Sequence, residues 1–161
     1  MITSRRDYIM RLIEEVGRIL ARVSAKRRKG DTDEAALETV VFGLQRLFNL
    51  DPDQIFLLTP DQHFDMLIDD EPPEFARDKV LLYAALNTEA GHIYLRMGNR
   101  AMARATFINA LRFTLKARAK YSADGLPDYT PRVPDLLDAL KNEPLDAVTA
   151  ELVNACGRSS V

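Results

Sequence analysis

Apolar side chains recur at intervals of three and four residues through most of this chain, which is the spacing of one face of an α-helix. The first stripe consists of Ile9, Leu12, Ile13, Val16, Ile19, Leu20 and Val23. It predicts a helix from about Arg6 to Lys29. Gly30 can end this helix, and Thr32 can cap the start of the next one. The second stripe consists of Leu37, Val40, Val41, Leu44 and Leu47. Together they predict a helical hairpin over residues 6–48.

A repeated motif, Pro-Asp-Gln-x-Phe, follows and begins at Pro52 and at Pro60. Each copy is preceded by a residue that can cap a helix, and its Gln can return a hydrogen bond to that cap. We therefore predict two short helices within residues 51–70. The acidic, proline-containing stretch Asp69–Glu74 predicts an exposed connection.

Helical spacing returns in the second half of the chain. It predicts a long hairpin over residues 73–121, with Gly98 and Asn99 at its turn, and two shorter amphipathic helices within residues 131–157 that cover its open end. No segment shows the two-residue alternation of a strand. The pattern predicts an all-α fold in a single domain over residues 1–161.

Composition agrees with an ordinary globular protein. The chain has 161 residues, of which 47% are hydrophobic and 29% charged, and this length allows one domain with a sizeable core. No apolar run approaches the roughly 20 residues that cross a bilayer, and no secretory segment precedes the first helix. The single cysteine, Cys156, cannot form an internal disulfide. These features predict a cytoplasmic protein without a membrane-bound part.

The net charge of −2 conceals blocks of opposite sign. Residues 1–29 hold nine Lys or Arg, residues 49–78 hold nine Asp or Glu, and residues 96–120 hold seven Lys or Arg and no acid. Two interpretations remain open. Either the acidic block lies over the basic helices and offsets their repulsion, or an exposed basic surface meets an anionic partner.

Glu89 and His92 are the residues with the clearest chemical interpretation, because ligands three residues apart on a helix can share one metal ion. A di-metal carboxylate site needs a second Glu-x-x-His pair, and the only other histidine is His63. The sequence contains no phosphate-binding loop, nucleophile elbow or dinucleotide fingerprint. We therefore predict no enzyme activity and no cofactor, with a mononuclear metal enzyme at Glu89 and His92 as an alternative.

Residues 83–116 resemble a tetratricopeptide repeat, a helix-turn-helix unit of about 34 residues. The matching positions are Gly91, Tyr94, Gly98, Ala103, Phe107 and Ala110. Asn87 stands where that repeat has its Trp-like position, and Leu115 stands where it has its terminal proline. A weaker match around Gly17 suggests a lengthened copy in the first hairpin. The resemblance implies stacked helical hairpins with a concave binding groove.

By that resemblance, the groove is lined by the first helix of each hairpin. The implied positions are Arg11, Glu14, Arg18, Arg22, Thr88, His92, Leu95 and Arg96. Such a groove is basic and implies an acidic peptide, or this protein's own acidic segment, as the occupant. The Lys and Asn pattern that binds a carboxyl terminus in some of these repeats is absent.

The opening stretch DYIMRLIEEVGRILARV also resembles the start of an uncharacterised bacterial family of small helical proteins. No chemistry is tied to that motif, so it adds support for a helical fold and no activity.

The function we predict is protein–protein interaction, as a small module or scaffold that can also self-associate. Nucleic-acid binding is an alternative, because a basic stripe on one predicted helix could follow phosphates, although the sequence pI is 5.7. The stripe consists of Arg100, Arg104, Arg112, Lys116 and Lys120.

Overall fold

The computed structural model describes residues 4–30 and 32–159, and every regular element in these two ranges is a helix. Residues 1–3, 31 and 160–161, which the predicted domain includes, lie outside the described residues. The all-α prediction is confirmed. The helices are α1 (Arg5–Lys29), α2 (Asp33–Phe48), α3 (Pro52–Phe56), α4 (Pro60–Ile68), α5 (Pro73–Arg96), α6 (Arg100–Lys120), α7 (Val133–Ala139) and α8 (Ala147–Ser159).

Local sequence signals set the ends of these helices. Thr32 Oγ1 accepts a hydrogen bond from the backbone N–H of Ala35 at the start of α2. Gly30 ends α1 with φ of +78°, a left-handed conformation that glycine adopts without a steric penalty. In the repeated motif, the side chains of Gln54 and Gln62 accept from the backbone N–H groups of the two cap residues at 3.0 and 2.8 Å.

Helix α5 is the centre of the fold and packs against α1, α2, α4 and α6. Residues 79–87 of α5 are all buried, as expected for a helix that is covered on every side rather than along one stripe. Gly43 of α2 allows a close approach of α2 to this centre. A Cβ at Gly43 would lie 3.1 Å from Leu86 of α5 and 3.2 Å from Ile19 of α1.

Helix α6 separates two hydrophobic clusters. Phe113 and Ala117 belong to the cluster formed by α1, α2, α4 and α5. Phe107, Leu111 and other residues of α6 form the second cluster with α7, while apolar side chains of α8 pack against it. None of the described helices is both long and apolar enough to cross a membrane.

His63 is buried at the junction of α3, α4 and α5. Its Nε2 lies 2.7 Å from the carbonyl oxygen of Ile55, which can only accept, so Nε2 carries the proton. Nδ1 lies 3.0 Å from the hydroxyl of Tyr83. Burial raises the pKa of Tyr83 to about 12. The two rings therefore form a buried, hydrogen-bonded pair.

Candidate functional site

Two of the four predicted groove residues of α5 line a cleft. Thr88 and His92 form one wall of a space of about 290 Å³. The His92 ring packs edge-on against the ring of Phe107, with centroids 5.1 Å apart. The remaining lining residues are Asp128, Thr130, Pro131, Arg132, Asp135 and Leu136. The cleft therefore has an apolar floor and a rim that carries both signs of charge.

The chain's own segment between α6 and α7 forms the far wall of this cleft. Arg77 of α5 holds that segment, because its guanidinium donates to the carbonyl oxygens of Ser122, Asp124 and Gly125. The Tyr129 hydroxyl donates to the carbonyl oxygen of Asp78 at 3.3 Å. The side of α5 on which the resemblance places a binding groove is thus partly covered by residues 122–132.

The other two residues of α5 have different surroundings. Leu95 is 47% exposed. Arg96 donates to the carbonyl oxygen of Arg27 at 3.0 Å and lies 3.3 Å from a carboxylate oxygen of Asp33. Arg96 therefore links the end of α5 to the region around the α1–α2 turn, and its charge is used in a contact within the chain.

Glu89 is engaged in the contact between α1 and α5. One carboxylate oxygen accepts from the Ser24 hydroxyl at 2.8 Å and the other from Arg27 Nε at 2.7 Å. Glu89 thus has two partners on α1, which lies far from it in the sequence. Among the described residues, no group of three or more His, Cys, Asp or Glu is arranged to hold a metal ion.

The four predicted groove residues of α1 are Arg11, Glu14, Arg18 and Arg22, and the structure does not bring them to the residues of α5. All four are exposed. Arg18 and Arg27 are nine residues apart, which is half a turn about the helix axis at about 3.6 residues per turn. Because Arg27 contacts α5, Arg18 points away from it.

Arg11, Arg18 and Arg22 share a property that distinguishes them from most other arginines. The side chain of none of them makes a hydrogen bond or an ion pair with the side chains that the structure describes, those of residues 4–30 and 32–157, although the charge of Arg18 helps to lower the pKa of Glu15. In the same ranges, the arginines that form ion pairs with carboxylates are Arg5, Arg6, Arg27, Arg46, Arg77, Arg96, Arg100, Arg104 and Arg112. The stripe on α1 therefore keeps its positive charge available to the solvent.

Two exposed aromatic residues flank this stripe. Ion pairing of Arg46 with Glu15 and a hydrogen bond from Lys26 to Thr39 fix the antiparallel register of α1 and α2. That register places Phe42, which is 45% exposed, level with the part of α1 that follows Ile19. Tyr8 is 56% exposed and lies near Arg46. The name basic face is used below for Tyr8, Arg11, Arg18, Arg22 and Phe42.

Most side chains of the basic stripe on α6, unlike those on α1, form ion pairs within the chain. Arg100 and Arg104 pair with Glu143, and Arg112 and Lys116 lie 3.5 and 3.6 Å from Asp61. Four of its five side chains thus have a carboxylate partner within the chain, and the two carboxylates reduce the charge that the stripe could offer to phosphates.

Parts of the acidic block do lie over basic helices, as one of the two interpretations of the charge pattern predicts. Besides Asp61, Glu71 accepts from Arg5 of α1 at 3.0 Å, and Glu74 lies 3.7 Å from Arg6. The acidic block does not cover the basic face, because none of its carboxylates lies within ion-pair distance of Arg11, Arg18 or Arg22 in the described residues. The acidic block therefore covers part of the basic surface and leaves the basic face exposed.

Sequence reasoning missed Tyr8 and Phe42, although a signal for them was present. Tyr8 lies outside the apolar stripe that runs from Ile9 to Val23, and Phe42 lies outside the stripe that runs from Leu37 to Leu47. A large apolar residue off the buried stripe of a helix is a candidate for contact with a partner.

The pKa of His92 predicts a pH dependence of stability. Burial lowers this pKa below its ordinary value of 6.5, and Arg27 lowers it further, while Glu89 and Asp135 act in the opposite direction. The unfolded chain therefore binds this proton more tightly than the folded chain. The contribution of neutral His92 is complete above the ordinary pKa and is lost as the pH falls below 6.5 toward the folded-state value.

We expect urea unfolding between about pH 7.5 and pH 5.5 to show a smaller loss of unfolding free energy in His92→Gln than in the unaltered chain. The difference between the two proteins isolates His92 from the other groups that titrate over the same interval. An equal loss in both would contradict the assignment.

Comparison with known proteins gives no match. No family model matches the sequence, no curated protein is significantly similar to it, and no solved structure is significantly similar to its fold. The described residues define an all-α protein with an exposed basic face on its first hairpin.

Proposed function

We propose that this protein is a non-enzymatic interaction module that binds an acidic protein segment through the basic face. The observation that carries the proposal is the stripe of three exposed arginines that form no ion pair in the described part of the chain, next to two exposed aromatic rings. The proposed binding surface is therefore not the groove that the resemblance implies, but the side of α1 that faces away from α5. The proposed ligand is still an acidic segment.

The arrangement has a cost to folding that an external partner would offset. Arg18 and Arg22 are four residues apart on one helix, where like charges destabilise by about 0.2–0.5 kcal/mol. Glu14 lies on the same side of α1 but forms no ion pair with them. Arginine and aromatic side chains are enriched among the residues that dominate binding energy at protein interfaces. Carboxylates of a partner can pair with guanidinium groups in two-point contacts.

The cleft beside His92 is a less favoured site for a protein partner. Its far wall is the segment held by the buried Arg77, so a peptide could enter the full groove only by breaking those hydrogen bonds. Removing the partners of a buried cation is costly. The basic face needs no such rearrangement.

We expect the double variant Arg18→Glu, Arg22→Glu to lose its protein partners while keeping its fold. The measurement is affinity purification from the source cell with quantitative mass spectrometry, preceded by circular dichroism to verify helicity. Bound partners should fall at least tenfold, which corresponds to about 1.4 kcal/mol.

The matched control is Arg118→Glu, Arg132→Glu. These two side chains are also exposed and form no ion pair within the described ranges, so the control makes the same change in net charge elsewhere on the surface. Partner sets that are the same for all three proteins would refute the proposal.

A further inference from the structure

We propose that the acidic partner of the basic face is a second copy of this chain, which presents α3 and the turn after it. This inference rests on the proposed function, because it names the occupant of the same surface. The presented part is called the acidic tip below and consists of Asp51, Asp53, Phe56 and Leu57.

The acidic tip exposes large apolar side chains beside carboxylates. Phe56 is 63% exposed, and Leu57 is 84% exposed, the highest value for a large apolar residue in the described part of the chain. Asp53 is exposed and makes no ion pair there. Exposure of two large apolar side chains to water is unfavourable, and their burial against another apolar surface lowers the free energy.

The basic face complements the acidic tip in both charge and chemistry. Its three unpaired arginines oppose the carboxylates of the tip, and its exposed rings of Tyr8 and Phe42 can cover the apolar side chains of Phe56 and Leu57. Opposite charges around an apolar contact fix the register of an interface.

One chain cannot make this contact with itself. The segment that carries the tip is anchored elsewhere, because His63 of α4 bonds to Ile55 of α3 and to Tyr83 of α5, and Asp61 lies beside Lys116 of α6. The arginines of the basic face are correspondingly unpaired in the described structure. The contact therefore requires a second molecule.

The two surfaces border each other, which permits a closed dimer. A concavity with a volume of about 340 Å³ lies between α2 and α3. Phe42 and Arg46 line one side of it, and Asp51 and Gln54 line the other. A two-fold axis through this concavity lets the tip of each copy meet the basic face of the other. Two identical contacts then form at once, as in isologous dimers.

The test is light scattering coupled to size exclusion over a range of protein concentrations. The unaltered chain should reach twice its mass of 18.2 kDa, and the dimer dissociation constant should rise with salt because the contact is partly ionic. Leu57→Ser should raise that constant at least tenfold. The control Leu95→Ser, at an exposed leucine outside both surfaces, should leave it unchanged.

A charge exchange identifies the contact itself. The double variant Arg18→Glu, Arg22→Glu and the single variant Asp53→Lys should each raise the dimer dissociation constant at least tenfold when studied alone. An equimolar mixture of the two variants should recover dimer, because the reversed face then meets the reversed tip in one contact and the unaltered face meets the unaltered tip in the other. A mixture that stays monomeric overturns the proposed contact.

The outcome also separates this inference from the proposed function. A chain that stays at 18.2 kDa at every concentration, but loses captured partners on reversal of Arg18 and Arg22, overturns the dimer and retains the interaction module. A monomeric chain whose captured partners survive that reversal overturns both.

Discussion

Replacing Arg77 by methionine should lower the free energy of unfolding by about 3 kcal/mol. The Arg77 side chain is only 9% exposed. It donates to the carbonyl oxygens of Ser122 at 3.0 Å, Asp124 at 2.6 Å and Gly125 at 3.1 Å, and its Nε lies 3.0 Å from Asp78. Methionine fills similar space but donates nothing, so the carbonyls and the partly buried Asp78 lose their partner.

Urea unfolding followed by circular dichroism measures this loss, and Arg118→Met is the control because Arg118 is exposed and unpaired in the described ranges. Arg77→Lys should give an intermediate loss, since lysine keeps the charge but cannot reach three carbonyls with a planar fork. Limited proteolysis should cut the segment after α6 first in the methionine variant. A loss below about 1 kcal/mol would show that this segment is held by its apolar contacts instead.

Replacing Gly91 by alanine should destabilise the fold by about 2 kcal/mol, although alanine is the better helix former. A Cβ at Gly91 would lie 2.6–2.7 Å from three ring carbons of Phe107. Phe107 is 1% exposed, so its ring has no free space to enter. The helices α5 and α6, which form the most extensive pair in the fold, would have to separate.

Gly17→Ala is the matched control, because a Cβ at this helical position meets nothing within 4 Å. It should stabilise the protein by about 0.5–1 kcal/mol. Adding Phe107→Leu to Gly91→Ala should cost less than the sum of the two single changes, since the smaller side chain relieves the clash. Additive losses in chemical unfolding would argue against a direct contact between these positions.

The helices were predictable because the signals that specify them are local. Gly30 needs only its own freedom from a Cβ to end α1, and Gln54 and Gln62 reach cap residues three positions away. A stripe of apolar residues indicates which side of a helix is buried whatever covers it. Such features involve residues that are near each other in the chain.

The partner of each stripe was not predictable in the same way. Glu89 and His92 suggest a metal pair from their spacing, but the structure joins Glu89 to Ser24 and Arg27, more than 60 residues away. The interpretation of the charge blocks also required the tertiary contacts. Asp61 lies beside Arg112 and Lys116 through packing of α4 against the helical core, which no local pattern encodes.

By itself, the sequence determined the all-α class, the caps and turns, and the side of α1 that carries Arg11, Glu14, Arg18 and Arg22, because each depends on spacing along a few turns of helix. Only the tertiary structure decided which charged residues stay exposed without partners. The wrapping of residues 122–132 over α5 and the turning of Arg18 away from it result from contacts between distant segments. Those contacts depend on how complete surfaces fit together, which is a property of the packed molecule.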